Sequence, residues 1–300
     1  MRNENWNLAF WTTGNMPSDQ REMFGCSSHG LCATGMWVEP GEKASAVWST
    51  ALEGTVLSGT FEQVTNSLYG LDFSPTLVLA FAAVGTGPEG FLEKLRATCS
   101  CGAVAGGCAA RSADRGELAP EAPELTLLAA RSGAFEVLCH NLLEPSVSLA
   151  FEASDPRTIK TLQVEPEGAL LPGLEAFSEL QRRIGKPVTD HESITLSDLS
   201  GRNLHFHEED GVLVSGADLP EASPLVLRMA EPAAIASRME SLLAVPGTLL
   251  LGCAGLRGTL PRPLQAAGGS LGAFLFGEIG PYDNRPAFGN LMVTTVRKIS

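Results

Sequence analysis

Basic residues are scarce in this chain of 300 residues, which has 21 Lys and Arg against 34 Asp and Glu. The formal net charge is −13 at pH 7, so the field of the protein repels the phosphates of a nucleic acid. The sequence contains no run of four or more Lys or Arg that would attract an anionic membrane surface. We therefore expect neither a nucleic-acid partner nor a membrane partner.

Long apolar segments and secretion signals are also missing. No uncharged apolar run is long enough to predict a transmembrane helix, and the first residues are polar rather than the core of a signal peptide. The seven cysteines are odd in number, which favours reduced thiols over a set of disulfides. These observations predict a cytoplasmic protein.

Common enzyme motifs are absent, whereas glycine is abundant. The sequence has no G-x-S-x-G elbow, no P-loop, no H-E-x-x-H motif and no set of kinase motifs. Glycine accounts for 32 of the 300 residues, which predicts many tight turns or close approaches of the backbone.

Two segments, Thr76–Cys108 and Thr248–Glu278, share one order of apolar runs and glycine breaks. Each begins with a short apolar strand after a proline, continues through a helix-like stretch, and ends in a second apolar strand closed by Gly107 or Gly277. The sequence thus predicts a strand–helix–strand unit used twice. The alternative is coincidence, because α/β proteins commonly contain this order of elements. The helices of the two copies are predicted at Gly90–Thr98 and Pro261–Ala267.

The rest of the chain predicts an α/β fold with mixed β-sheets and flanking helices. A third, degenerate copy of the unit is expected at the front, between Asn7 and Leu52. An unlike stretch at about 145–245 contains helical patterns at Ala169–Gly185 and Glu231–Ala244 with a hairpin between them. We expect two related lobes, 1–150 and 151–300, that arise from the internal duplication.

Three segments near the end of the chain carry a recognisable pattern: Gly247–Gly258, Leu271–Pro281 and Ala287–Val296. The first is an apolar strand followed by Cys and Arg, the second ends in Gly-Glu-Ile-Gly-Pro, and the third is a strand entered through Asn and Thr. This pattern resembles the C-terminal half of the FIST family, whose members are bacterial and eukaryotic signal-transduction proteins. Pro75–Ala109 resembles the N-terminal half of the family, and Gly25–Gly30 is similar to its Gly-Cys turn.

The sequence also departs from the family pattern. The Arg motif, Cys253–Gly258, carries an extra residue, and Gly107–Ala110 lacks the expected polar residues and glycine. The resemblance implies a FIST N-like lobe over 1–150 with an abbreviated front portion, and a FIST C-like lobe over 151–300.

A sensory role follows from this resemblance. Family members are similar to input domains that bind small ligands, often suggested to be amino acids, and pass the signal to output domains. The resemblance therefore implies a sensor without catalysis. Because the chain has no room for an output module, we expect its signalling output protein to act in trans. The oligomeric state is not predicted.

Arg257 and Glu278 are the main candidates for ligand binding, since both follow predicted strands of one unit. Ligands collect beyond the carboxyl ends of such strands. Arg257 could bind a carboxylate and Glu278 an ammonium group, which together make a clamp for an amino acid. The alternatives are that the two residues pair with each other or that Glu278 caps a turn. The full predicted ligand-binding set is Arg257, Glu278, Gly277, Gly280, Cys253 and Asn290.

Cys26, His29 and Cys108 are secondary candidates. A reactive thiol needs a base or cation that lowers its pKa, and His29 follows Cys26 by three residues. The simpler interpretation treats the cysteines as small apolar core residues. The alternatives to a small-ligand sensor are an enzyme that acts on a small metabolite through Cys26, Cys253 or Glu278, a haem-binding gas sensor, and a structural interaction protein without a pocket.

No cofactor and no metal are predicted. Cys99 and Cys101 are too close in sequence for the common zinc knuckle, even with Cys108 nearby. Haem is the alternative cofactor, with His29 or His140 as a single axial ligand, although no C-x-x-C-H attachment motif is present.

Overall fold

The chain forms a mixed α/β protein that consists mostly of β-sheets, which confirms the predicted class at that level. The computed structural model describes residues 4–12, 23–39, 41–84, 89–98, 103–109, 112–114, 117–118, 123–164, 167–183, 195–204, 206–216, 218–220, 224–282 and 285–299. Within these ranges, no helix combines the length and the apolar character that a membrane crossing requires.

The strands are, in chain order, β1 (Glu4–Trp11), β2 (Met23–Ser27), β3 (Leu31–Ala33), β4 (Met36–Val38), β5 (Ser45–Val47), β6 (Leu52–Gly59), β7 (Leu77–Ala83), β8 (Val104–Ala109), β9 (Ser112–Asp114), β10 (Glu117–Leu118), β11 (Leu125–Ala130), β12 (Phe135–His140), β13 (Glu144–Leu149), β14 (Phe151–Ala153), β15 (Thr158–Gln163), β16 (Leu170–Pro172), β17 (Thr195–Ser197), β18 (Asn203–Leu204), β19 (Phe206–Glu209), β20 (Val212–Ser215), β21 (Leu225–Met229), β22 (Leu249–Cys253), β23 (Leu271–Leu275), β24 (Glu278–Tyr282), β25 (Arg285–Gly289) and β26 (Val293–Lys298). The helices are α1 (Phe61–Tyr69), α2 (Glu89–Thr98), α3 (Gly173–Arg183), α4 (Pro232–Leu243) and α5 (Ala254–Thr259).

The chain divides into two compact units that differ from the two expected lobes. Unit 1 comprises Met1–His140 and Pro232–Ser300, and unit 2 comprises Asn141–Glu231. Strands from the end of the chain pair with strands from its first half, since β26 lies beside β12, β24 beside β8 and β23 beside β3. This pairing joins the two ends of the chain into one unit and leaves the middle stretch as the other.

Unit 1 repeats one connectivity three times. A parallel pair of strands is followed by a hairpin and then by a return strand that lies antiparallel to the first strand. The three sets are β1–β2 with β3–β4 and β6, β7–β8 with β9–β10 and β11, and β22–β23 with β24–β25 and β26. The connectivity agrees with the predicted repeat, but it does not confirm a sequence duplication, which stays a prediction.

The hairpin of each set pairs with the parallel strands of another set. Strand β3 adds to β23, β9 adds to β2, and β24 adds to β8. Alternate residues of all three sets therefore contribute one face to a common core, in which Trp6, Phe10, Phe81, Leu251 and Leu275 are buried. The opposite face of β7, β8 and β11 packs against α1 and α2.

Unit 2 builds a separate core between two small antiparallel sheets and α3. One sheet has the order β13-β21-β17-β18, and the other contains β14, β15, β16, β20 and β19. The amphipathic helix α3 buries Ala176, Phe177 and Leu180 in this core.

The helix predictions were correct in part. The helices expected at Gly90–Thr98 and Glu231–Ala244 are confirmed as α2 and α4. The prediction of a helix at Pro261–Ala267 is wrong. Helix α5 instead begins directly after β22 and ends at Thr259, and Pro261 lacks the N–H group that would continue it. Helix α1 was not predicted, although Thr60 and Gln63 form a capping box at its start.

Candidate functional site

Glu278 lies at the first position of β24, and its side chain is completely buried. One carboxyl oxygen, Oε1, accepts a hydrogen bond of 3.1 Å from the backbone N–H of Met292. The other oxygen, Oε2, has no hydrogen-bond partner of ordinary geometry among the described residues. Burial raises the pKa of this carboxyl well above its ordinary value, although the Met292 N–H group and the Cys253 thiol act to lower it.

Cys253 ends β22 and occupies the position before the first residue of α5. Burial, together with the charge of Glu278, raises the pKa of its thiol to about 12. The backbone N–H groups of Leu291, Gly255 and Gly277 lie close enough to the sulfur to lower this pKa. The cysteine thus lies in a ring of three backbone donors beside a carboxyl group. At neutral pH its thiol keeps its proton.

The turn between β25 and β26 closes the site. The Cys253 thiol donates to Asn290 Oδ1 at 3.4 Å, and the Cys253 backbone N–H donates to Met292 O at 3.1 Å. Leu291 between them has φ = 52°, a left-handed conformation that is unfavourable for leucine. Such strain persists where the surroundings fix it, often at functional sites.

Two glycines allow the backbone to pass through this crowded region. Gly277 has φ = 91°, and a Cβ atom there would lie 2.2 Å from the ring of Phe288. A Cβ atom on Gly280 would lie 2.2 Å from the Cys139 sulfur and 2.6 Å from Thr294 Oγ1. Strand β24 therefore lies directly against β12 and β26. The charge of Glu278 also acts on the Cys139 thiol, whose pKa burial raises to about 12.

Solvent lies close to this cluster on one side. Gly255 is exposed, Asn290 is half-buried, and the ring of Phe276, the residue before Gly277, is 45% exposed. Both Cys253 and Leu275 end strands of the parallel pair β22–β23, so the cluster lies at the carboxyl ends of that pair. Ligands of open α/β sheets bind at this position.

Arg257 does not join the cluster. Its guanidinium group pairs with Glu39 at the end of the β3–β4 hairpin and lies 5.0 Å from the ring centre of Trp37. Trp37 also donates to Glu39 at 2.6 Å, and Gly30 leaves the space that the arginine Nε fills. The hydrogen bond from Arg257 lowers the pKa of Glu39. The described contacts therefore give no support to the alternative in which Arg257 and Glu278 pair with each other.

The secondary candidates lie in different places. Cys26 is completely buried in the core of unit 1, and burial raises its pKa well above the ordinary value. His29 is exposed, with its ring 5.5 Å from that of Phe276. Cys108 reaches the cluster through its backbone, since its N–H group donates to Gly277 O at 3.2 Å. No thiol–imidazole pair forms among these three residues.

The remaining cofactor candidates are His140, considered for haem, and Cys99 and Cys101, considered for zinc. His140 Nε2 hydrogen bonds with Thr295 Oγ1 at 2.9 Å, and burial lowers its pKa. Cys99 and Cys101 lie outside the described residues. Over the described part of the chain, no group of three His, Cys, Asp or Glu side chains is placed to hold a metal ion.

The cluster contains residues that the sequence analysis missed. Met292 supplies the hydrogen bond to Glu278, Leu291 is strained, and Cys139 and Thr294 enclose Gly280. No motif marks them, because their roles depend on backbone conformation and on strands that are distant in sequence. No protein-family model matches this chain, and a search of curated proteins finds no match either.

Proposed function

We propose that this protein is a sensor that binds a small ligand at the Glu278 cluster and passes the signal to an output protein in trans. The observation that carries the proposal is a completely buried carboxyl group with one oxygen that lacks a hydrogen-bond partner of ordinary geometry among the described residues. Buried polar groups without partners are rare in proteins and destabilise the fold. A ligand that donates to Oε2 would remove this penalty.

The chemistry of the cluster favours a ligand with an amino group, such as an amino acid. A carboxyl group that has no basic side chain beside it can accept a hydrogen bond from an ammonium group or form an ion pair with it. The three backbone donors around Cys253 and the amide of Asn290 supply polar contacts for the rest of a small ligand. The FIST resemblance implies the same class of ligand.

The test is a thermal-shift screen of amino acids and simple primary amines against wild type, Glu278→Gln and Glu231→Gln. Glu231 is an exposed residue and serves as the matched control. A ligand at 100 times its Kd stabilises the protein by about 2.7 kcal/mol, or roughly 5–10 °C in Tm for a unit of this size. We expect this shift in wild type and in the control, and its loss in Glu278→Gln.

Native mass spectrometry of the purified protein gives a second measurement, since a retained ligand appears as added mass. The proposal fails if no amine or amino acid shifts the Tm of wild type and no ligand is retained. It also fails if Glu278→Gln responds in the same way as wild type.

Thiol chemistry at Cys253 is the second candidate function, because three backbone N–H groups surround its sulfur. Such donors stabilise negative charge, as they do in an oxyanion hole. The raised pKa of the thiol argues against a nucleophile in the ligand-free protein. An enzyme would convert its ligand and lose turnover in Cys253→Ser, whereas a sensor leaves the ligand unchanged.

A further inference from the structure

Strand β12 is the last strand of its sheet, and one of its edges has no neighbouring strand among the described residues. Its other edge pairs with β26 in an unbroken antiparallel register of six residue pairs. The Ile299 N–H group donates to Ala134 O at 2.9 Å, which identifies Ala134 and Ile299 as a hydrogen-bonded pair.

Antiparallel strands alternate between residues that bond to the neighbour and residues that bond away from it. Counting from Ala134, the backbone N–H and C=O groups of Phe135, Val137 and Cys139 point away from β26. Within the described residues, these six groups have no backbone or side-chain hydrogen-bond partner. They extend over about 13 Å at the rise of a β-strand.

An open groove with a volume of about 750 Å³ follows the same edge. One side is formed by residues 133–139, and the other by Pro75, Thr76, Ala103 and Pro281, all in unit 1. The residues that carry the free backbone groups thus line a space that is large enough for another chain segment.

Over the described part of the chain, this edge lacks the features by which proteins usually protect free strands. Natural edges carry bulges, prolines or lysines that prevent a further strand from pairing. The edge strands β13 and β14 of unit 2 each contain a register shift, whereas β12 contains none. The one charged side chain of β12 other than histidine, Glu136, is paired with Arg297.

We propose that β12 and the groove beside it bind an extended segment of a partner protein, which adds to the sheet as a further strand. Main-chain hydrogen bonds supply the affinity in this mode of recognition. A small molecule would satisfy only one or two of six groups spread over about 13 Å. The net charge of −13 favours a segment with basic flanking residues, because opposite charge steers association.

In the proposed function, this groove is the docking site of the output protein. The addition of a strand to β12 does not itself depend on that function, which supplies only its biological purpose. Cys139 belongs both to the groove and to the surroundings of Glu278, since its sulfur lies against the position of Gly280. A change at the Glu278 cluster that moves β24 would therefore reach the edge of β12.

The test measures binding of a fluorescent peptide, Lys-Val-Thr-Val-Thr-Val-Lys, to the full chain by fluorescence anisotropy. A second peptide carries N-methyl groups on alternate residues, which removes backbone donors on one edge, and a third carries them on the remaining residues. We expect one methylated peptide to bind at least about 5-fold more weakly, since one lost hydrogen bond of about 1 kcal/mol gives that factor. The other should bind like the parent.

Val137→Pro and Val137→Thr provide the matched protein variants. Proline removes a donor that points away from β26, so the ladder to β26 keeps its hydrogen bonds. Threonine keeps the donor and nearly the same shape. We expect at least about 5-fold weaker binding for the proline variant and a change below about 3-fold for threonine. If Val137→Pro does not fold, the methylated peptides decide the question.

The proposal is overturned if the parent peptide does not bind at 1 mM, or if neither methylation nor Val137→Pro weakens it. It is also overturned if light scattering shows a dimer that Val137→Pro dissociates, which would assign the edge to a second copy of the chain. Glu231→Gln, an exposed substitution in unit 2, should bind the peptide like wild type. Absence of peptide binding, with the thermal shift by amino acids intact in wild type, rejects the docking site alone.

Discussion

Replacement of Glu278 by glutamine should change how the stability of unit 1 depends on pH. The folded protein raises the pKa of this carboxyl through burial, so it holds a proton that the unfolded chain has already released above about pH 4.3. Folded wild type binds more protons than unfolded wild type in this range, and its free energy of unfolding must fall as pH rises. The fall stops at the pKa of the folded state.

The expected magnitude follows from proton linkage. One titrating group changes the free energy of unfolding by at most about 1.4 kcal/mol per pH unit. Glutamine has nearly the same shape and does not titrate, so Glu278→Gln should gain stability relative to wild type as pH rises. The neighbouring thiols of Cys253 and Cys139 have pKa values raised to about 12 and stay protonated throughout. Groups that titrate in both proteins, including His140 and the thiols of the unfolded chain, cancel when the two are compared, so the difference in slope between wild type and Glu278→Gln belongs to Glu278.

Urea denaturation at pH 5, 6, 7 and 8 measures this difference. All four tryptophans of the chain lie in its first 50 residues and hence in unit 1, so their fluorescence reports the unit that contains Glu278. Glu231→Gln in unit 2 is the control and should follow wild type at every pH. Parallel stability curves for wild type and Glu278→Gln would refute the conclusion that burial holds the Glu278 proton.

Further substitutions test the backbone of the site and of α1, each by chemical denaturation. Gly277→Ala should destabilise the protein by more than about 1 kcal/mol because of its positive φ and the ring of Phe288, whereas Gly258→Ala, with open space around its Cα, should not. Leu291→Gly should cost less than about 1 kcal/mol, since relief of the left-handed strain offsets the lost side chain, and a loss above about 2 kcal/mol would contradict this strain. Thr60→Ala should cost about 1 kcal/mol through loss of the capping box, and no change would show that the cap is unimportant.

The local elements of the fold are readable from the sequence where short-range physics decides them. The apolar runs predict the individual strands β7, β8, β22 and β23, because a strand that is buried on both faces needs apolar residues on both. The same reasoning placed a helix at Pro261–Ala267, where two prolines prevent one. The exchange of hairpins among the three sets could not be predicted, since β24 pairs with β8 about 170 residues away in sequence.

The candidate site shows the same limit. Glu278 and Cys253 are predicted because they lie at the ends of strands of one unit, Gly277 and Gly280 because they allow the backbone to approach a ligand, and Asn290 because it enters the last strand of the resembled pattern. The structure brings these five together. Their role in binding stays a prediction. The choice of Arg257 used the same rule, but its partner Glu39 lies 218 positions earlier in the chain. Sequence spacing cannot identify a partner of this kind.

Under the proposed function, the separation of Arg257 from Glu278 changes what the ligand must provide. A clamp with both charges would bind a zwitterion, whereas a lone buried carboxyl selects for one positive group and leaves the rest of the ligand to backbone donors. Binding of an ammonium group favours the ionised form of Glu278, which burial opposes in the free protein. Ligand binding must then release a proton, and affinity must rise with pH up to the pKa of the carboxyl. A neutral hydrogen-bond donor would bind without this dependence, so the pH profile of affinity identifies the charge of the ligand before its structure is known.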